Sequence, residues 1–300
     1  MRFNNFLCLN SEEPIPVRLP ILKIMESLKL VAGGGAALDA YRRMLGPSFD
    51  YLGEVLRNRT EQTVEQFGDI LDNAKRKLGD KIDDSGSVPP RVMKDVVEEG
   101  AFFESEIAAE YFGGVLAASR SKDGKDDRGS TFTKLLGRLS TYQISTHHYL
   151  YSTIRSLYKG EEVNLSGQKG RRKIETYIPG SLMEVQLRLN EMDEQKAKSV
   201  LDHSFFGLSR EDLISEFKYG PQEELKTEGV DARSGIEYLP SAIGVSLYLW
   251  AHGYGDQPLS MFLSDSIEVK TNIRIVASDD VTVVRKSRWE DDKNFEMSEL

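Results

Sequence analysis

The sequence predicts a mainly α-helical protein that carries a smaller α+β part. Apolar residues recur about every 3.6 positions through the first half of the chain, which indicates amphipathic helices. Segments in which apolar and polar residues alternate, as in strands, come later in the chain. The polar segment KGEEVNLSGQKGRRK, residues 159–173, lies between the two parts. We therefore expect a helical N-terminal domain, a winged-helix-like module and a C-terminal β-hairpin.

The helical domain is predicted over residues 19–160, after an N-terminal segment of residues 1–18. Pro89 and Pro90 stand where proline favours the start of a helix, directly before a new apolar stripe. Positions spaced three or four apart define the helical faces. These positions include Val55, Phe67, Ile70, Leu71, Val92, Val96, Phe103, Ile107, Tyr111, Val115, Ala118, Leu135 and Ile154.

The polar residues 161–180 are predicted as a linker or loop, and residues 181–258 as the winged-helix-like module. This module would contain a helix over 191–204, two strands joined by a wing, and a closing helix from about Ser241. The strands expected on either side of the wing are Leu213–Tyr219 and Ile236–Leu239. The sequence SRED also resembles a helix cap, so a helix over 209–218 stays open as an alternative.

Residues 259–290 are predicted as a β-hairpin. Apolar and polar residues alternate from Ile267 to Ala277, which is typical of a strand with one buried face. The sequence ASDD could form the turn, and VTVVRK could return as the second strand. The polar residues 291–300 are expected to form a frayed tail.

Composition and charge narrow the classes of function. The 300 residues are 39% hydrophobic and 29% charged, as in an ordinary globular protein, and the net charge of −9 argues against broad, non-specific binding of nucleic acid. Cys8 is the only cysteine, so no intrachain disulfide can form. No secretory signal is recognisable, and we expect a cytoplasmic protein.

Three consecutive glycines, Gly33, Gly34 and Gly35, precede a helical segment. A phosphate-binding loop would need a preceding strand and a lysine after the glycines, whereas a helical pattern precedes them here and Asp39 follows. We interpret the glycines as a candidate hinge or a site of close helix packing. The surrounding window, residues 19–38, contains charged residues that disfavour a membrane span, so membrane contact there is an alternative that the sequence does not favour.

No residues in the sequence suggest a catalytic, cofactor-binding or metal-binding site. His147 and His148 are adjacent, and neighbouring side chains on a helix point about 100° apart, so the two cannot easily share one metal ion. We expect them at the edge of the core and at the surface. Asp123, Asp126 and Asp127 alternate with basic residues, which is typical of a solvated loop.

A local basic cluster is the strongest indication of nucleic-acid contact. It consists of Lys169, Arg171, Arg172 and Lys173. The predicted recognition helix of the winged module begins with acidic residues, which would repel phosphates. Binding of nucleic acid is therefore a candidate function, but contact with a protein partner or self-association is favoured.

Several blocks of sequence resemble the abortive-infection alpha family. They are LGPSFDYLGEVLRNR (45–59), VPPRVMKDVVEEGAFFESEIAAEYFGGVLAASRS (88–121), STFTKLLGRLSTYQ (130–143), LDHSFFGLSREDLIS (201–215) and IEYLPSAIGVSLYLWAHG (236–253). The resemblance extends over roughly residues 30 to 253. It departs from the family pattern at Tyr111 and Gly113, where a Trp and an Asn are expected, and at Pro240, which replaces a capping Thr.

This resemblance implies a cytoplasmic role in bacterial defence against phage, with no established chemistry. Combined with the absence of a catalytic pattern, it favours a non-enzymatic protein that acts through protein contacts as a sensor, adaptor or effector. Two alternatives stay open. One is a winged-helix DNA-binding regulator that uses the basic cluster, and the other is a membrane-acting toxic effector that uses residues 19–38.

Overall fold

The structure, a computed structural model, describes residues 35–49, 61–221, 225, 234–275 and 284–285. These residues are mainly helical and include a small antiparallel sheet. The helices are α1 (Gly35–Leu45), α2 (Glu61–Leu78), α3 (Pro90–Gly100), α4 (Glu106–Ala118), α5 (Gly129–Gly137), α6 (Thr141–Tyr158), α7 (Gln168–Arg172), α8 (Gly180–Gln186), α9 (Glu194–Arg210) and α10 (Ala242–Ala251). The strands are β1 (Thr176–Pro179), β2 (Ile214–Pro221), β3 (Ser234–Pro240) and β4 (Val284–Arg285).

Local sequence signals set the starts of several helices. Pro90 is the first residue of α3, as the sequence predicts. Ser140 precedes α6 and forms a capping box with Gln143, in which each side chain bonds to the other's backbone N–H. The Ser241 hydroxyl accepts a hydrogen bond from the backbone N–H of Gly244 at 2.8 Å, which confirms the predicted start of α10.

Helix α4 lies at the centre of the helical part. Every residue from Ile107 to Ala117 is buried, so this helix has no solvent-exposed face over that length. Two glycines permit its close contacts. A Cβ atom on Gly113 would lie 2.6 Å from the Asn73 side chain on α2, and a Cβ atom on Gly114 would lie 1.7 Å from the Ala251 carbonyl oxygen on α10.

The sheet has the strand order β2-β3-β1-β4, with antiparallel neighbours throughout. Buried tyrosines join it to α6. Tyr238 on β3 donates a hydrogen bond to the Leu150 carbonyl at 2.8 Å, and Tyr151 donates one to the Leu213 carbonyl at 2.6 Å. One hydrophobic core therefore continues from the helices to the sheet.

The predicted linker over residues 161–180 is wrong, because this segment contains α7 and β1. All four residues of β1 are buried, and β1 forms the inner strand between β3 and β4. A run of four residues, TYIP, is too short to stand out beside the charged and glycine-containing sequence that precedes it.

The predicted C-terminal hairpin is wrong for residues 259–275. Leu259–Leu263 form a 3₁₀ turn, residues 264–275 contain no strand, and β4 pairs with β1 instead. Residues 264–275, which we call the strap, contain a turn at residues 265–266, with Ile267 buried and Val269 and Ile273 packed against the core. The alternation of apolar residues arises from this one-sided packing.

Both strands predicted around the wing are present as β2 and β3, and the alternative helix over 209–218 is wrong. Asp212 adopts a left-handed conformation (φ 54°) between α9 and β2, which a continuing helix could not contain. The winged-helix interpretation itself stays a prediction. Most of the wing, residues 222–224 and 226–233, lies outside the described residues.

Of the candidate hinge, Gly33 and Gly34 lie outside the described residues, and Gly35 is the first residue of α1. The N-terminal segment, residues 19–34 of the candidate membrane window and the C-terminal tail also lie outside them. Within the described ranges, no helix is both long enough and apolar enough to cross a membrane.

Candidate functional site

The four residues of the basic cluster lie on α7 or directly after it, near the outer strand β2. Lys169, Arg172 and Lys173 are exposed. Arg171 donates hydrogen bonds to the carbonyls of Leu165 and Ser166, at 2.9 and 3.0 Å, and so stabilises its own loop. Arg172 lies 3.6 Å from Glu216 on β2. Both arginines therefore contact their own chain, Arg171 through backbone carbonyls and Arg172 through one exposed ion pair.

The prediction that His147 and His148 lie at the core edge and at the surface is wrong, since both are fully buried. His147 Nε2 donates to the Gly244 carbonyl at 3.1 Å, while Nδ1 accepts from the Tyr111 hydroxyl at 2.8 Å. Burial lowers the pKa of His147 to about 3, so the ring is neutral. The side chains of His147 and His148 leave α6 in different directions, and both of these faces of the helix are buried.

His147, His148 and His252 together form what we call the buried histidine cluster. The ring centroids of His148 and His252 are 5.7 Å apart. Neither ring has a hydrogen-bond partner among the described residues. Burial lowers the pKa of His148 to about 3 and the pKa of His252 well below its ordinary value. No set of three or more metal-ligating side chains is arranged around an ion in the described part of the chain.

A buried ion-pair network lies beside the histidines. Glu110 on α4 pairs with both Arg76 and Lys77 of α2, and the Lys77 side chain is completely buried. Lys77 also donates a hydrogen bond to the Lys270 carbonyl of the strap at 3.2 Å. Burial lowers the pKa of Lys77, although the carboxylate of Glu110 acts in the opposite direction.

The acidic groove is a concave surface between α2, the start of α4 and the strap, and encloses about 480 Å³. Five carboxylates and one guanidinium line it, together with the apolar side chains of Phe103, Ala109 and Ile273. The carboxylates belong to Asp69, Asp72, Glu104, Glu106 and Glu110, and the guanidinium to Arg76. Arg76 is already paired with Glu110, so the remaining surface carries a strong excess of negative charge.

Three of the carboxylates, at the rim of the groove, contribute to this negative charge. Among the described residues, no lysine or arginine lies within ion-pairing distance of Asp69, Asp72 or Glu106. Asp72 accepts a hydrogen bond from the Tyr41 hydroxyl at 2.8 Å, which holds its side chain beside Asp69. Partial burial and the charges of Asp72 and Glu106 raise the pKa of Asp69. A positively charged group in the groove would relieve this repulsion.

One surface contact has the composition of a nucleophile–base pair. The Ser140 hydroxyl lies 2.9 Å from His203 Nε2. The same hydroxyl accepts the backbone N–H of Gln143 as the cap of α6, and no carboxylate among the described residues contacts the imidazole. We interpret this contact as part of the helix cap. Asp123, Asp126 and Asp127 lie on a surface loop and bond to nearby serine, arginine and backbone groups, as expected of a solvated loop.

Comparisons of the chain with protein-family models, with curated proteins and with solved structures give no match. The acidic groove is therefore identified from geometry and charge alone. A signal for it is present in the sequence, since Asp69, Asp72 and Arg76 are spaced three and four residues apart on one face of α2. Its position opposite the start of α4 requires the tertiary structure.

Proposed function

We propose that this chain is a non-enzymatic anti-phage defence protein that binds a protein partner, and that the acidic groove receives a basic segment of that partner. The defence role rests on the resemblance of roughly residues 30 to 253 to the abortive-infection alpha family. The mode of binding rests on one observation, the concave surface whose rim carboxylates have no ion-pair partner among the described residues.

The chemistry of the groove favours a lysine or arginine side chain as its occupant. The volume of about 480 Å³ accommodates a long side chain, and Phe103 and Ile273 offer apolar surface to its methylene groups. The ammonium or guanidinium group would then meet Asp69, Asp72 and Glu106. Phosphate groups would be repelled by the same carboxylates, so this surface favours a basic protein over nucleic acid.

A plating experiment tests this proposal. Cells with and without the gene are infected with a panel of phages, and plating efficiency and survival of infected cells are scored together. We expect protection by the wild-type chain and its loss in the double variant Asp69→Asn, Glu106→Gln. The control is Glu98→Gln with Glu184→Gln, which removes the same charge from exposed positions on α3 and α8.

Each outcome has a distinct meaning. Full protection by the groove variant would exclude the groove as the binding surface while leaving the defence role in place. Absence of protection by the wild-type chain against every phage, with and without neighbouring genes, would remove the defence role. Equal loss in the groove variant and the control would indicate an effect of net charge and would also contradict the groove.

DNA binding is the second candidate function, because Lys169, Arg172 and Lys173 are exposed on one short segment. It would require duplex affinity that falls with salt concentration and with the variant Arg172→Glu. The exposed first turn of α9 contains Glu194 next to its cap Asp193, and these acids oppose the approach of a phosphate backbone. A mobility-shift assay at two salt concentrations separates the two candidates.

A further inference from the structure

Strand β2 has an open outer edge. It is the first strand in the order β2-β3-β1-β4, and it pairs only with β3 among the described residues. An edge strand presents unpaired backbone N–H and C=O groups to the solvent, and these groups can pair with another strand.

An exposed aromatic patch lies along this strand. Phe206 on α9 is 60% exposed and Tyr219 on β2 is 37% exposed. Phe217 lies between them, with ring centroids 5.3 Å from Phe206 and 6.3 Å from Tyr219. Together with Lys218 and Leu225, these rings line a hollow of about 450 Å³. Neighbouring aromatic rings that are exposed to solvent are a feature of interaction sites.

The charged residues of β2 allow two copies of the strand to place opposite charges next to each other. Glu216 and Lys218 are both exposed, and they stand on either side of Phe217. If two copies of β2 pair in antiparallel orientation about Phe217, Glu216 of one copy lies opposite Lys218 of the other, and the reverse pair forms as well. Opposite charges on directly facing residues stabilise such a pairing. The exposed contact of Glu216 with Arg172, at 3.6 Å, is too weak to compete strongly.

We propose that the chain forms a two-fold symmetric homodimer through antiparallel pairing of β2 with β2 of a second copy, centred on Phe217. This pairing would join the two sheets into one continuous sheet and would bring the two aromatic patches together. The interface would be isologous, as in most homodimers, since the same residues of both copies form it.

Sedimentation velocity over a range of micromolar concentrations provides the first test. We expect a dimer for the wild-type chain. Glu216→Lys places like charges opposite each other at two positions and should weaken dimerisation roughly tenfold or more. Glu98→Lys, with the same change of charge on α3, should leave it unchanged. A wild-type chain that stays monomeric throughout this range would overturn the proposal.

Cysteine cross-linking tests the register. In a Cys8→Ser background, Glu216→Cys and Lys218→Cys are prepared separately, then mixed and oxidised. The proposed register brings position 216 of one copy opposite position 218 of the other, so the mixture should give a disulfide-linked dimer far more rapidly than either variant alone. Equal cross-linking in all three samples, or none in the mixture, would exclude this pairing.

Discussion

Glu110 lies on α4 with a side chain that is 2% exposed, between Arg76 and the fully buried Lys77. The network contains two positive charges, on Arg76 and Lys77, and one negative charge, on Glu110. Removal of the carboxylate would therefore leave the positive charge of Lys77 in the core without its ion-pair partner. Replacing both partners of a buried ion pair with apolar residues often changes stability little. Removing only one partner lowers stability strongly, because it leaves an uncompensated charge in the core.

We therefore predict that Glu110→Gln lowers the free energy of unfolding by about 3–5 kcal/mol, measured by urea denaturation at neutral pH. Glu98→Gln is the control, because Glu98 forms an exposed contact with Lys94 at 3.6 Å, and it should change the value by less than about 1 kcal/mol. Adding Lys77→Met to Glu110→Gln should recover part of the loss. A neutral single variant would contradict the buried network.

At the scale of elements, the packing of α4 against α10 depends on the absence of a side chain at Gly114. A Cβ atom there would lie 1.7 Å from the backbone oxygen of Ala251, and a backbone atom cannot move aside as a flexible side chain can. We predict that Gly114→Ala lowers the free energy of unfolding by about 3 kcal/mol or more. In Gly35→Ala, the control, the new Cβ atom meets no atom within 4 Å, and stability should be nearly unchanged.

Arg155 of α6 holds the strap on the helices. Its guanidinium, almost completely buried, donates hydrogen bonds to the carbonyls of Phe262, Ser264 and Ile267. The variant Arg155→Met would leave these carbonyls without their donor, and each lost bond to a charged group costs about 1.5–3 kcal/mol.

Hydrogen exchange measures this effect directly. We predict at least about tenfold faster exchange of the strap amides in Arg155→Met, with no such change in α5 or α9. Arg138→Met is the control, since Arg138 bonds to Glu211 at the surface at 2.7 Å. Unchanged exchange in the strap would show that other contacts hold it in place.

The helices were the predictable elements, because their apolar spacing and caps are local. The burial of both His147 and His148 was not, since α6 contains many polar residues that find partners far along the chain. Arg155, for example, reaches carbonyls more than 100 residues away. The strap could not be told from a strand, because both give an alternating pattern when one side is buried. The acidic groove needed the packing of α4 on α2, which spacing does not encode.

At the scale of the whole molecule, the core keeps three histidines neutral. His147, His148 and His252 are buried beside Lys77, whose positive charge further opposes protonation of His148 and His252. The folded pKa of His147 and of His148 is about 3, against an ordinary value of 6.5. Well above pH 6.5, neither the folded nor the unfolded chain binds these protons, and the histidines give no pH dependence there.

Below pH 6.5, the unfolded chain takes up protons that the folded chain excludes, so stability falls as the pH falls towards 3. Between pH 7 and pH 5, we predict a loss of about 2 kcal/mol for each of His147 and His148, with a further loss from His252, measured by urea denaturation at several pH values. His148→Phe, which removes two nitrogens that have no hydrogen-bond partner among the described residues, should reduce this loss by about 2 kcal/mol. The comparison variant His203→Gln changes a histidine that lies outside the cluster and contacts the Ser140 hydroxyl. A wild-type profile that is flat over this range would show that the histidines are hydrated, and would contradict the buried cluster.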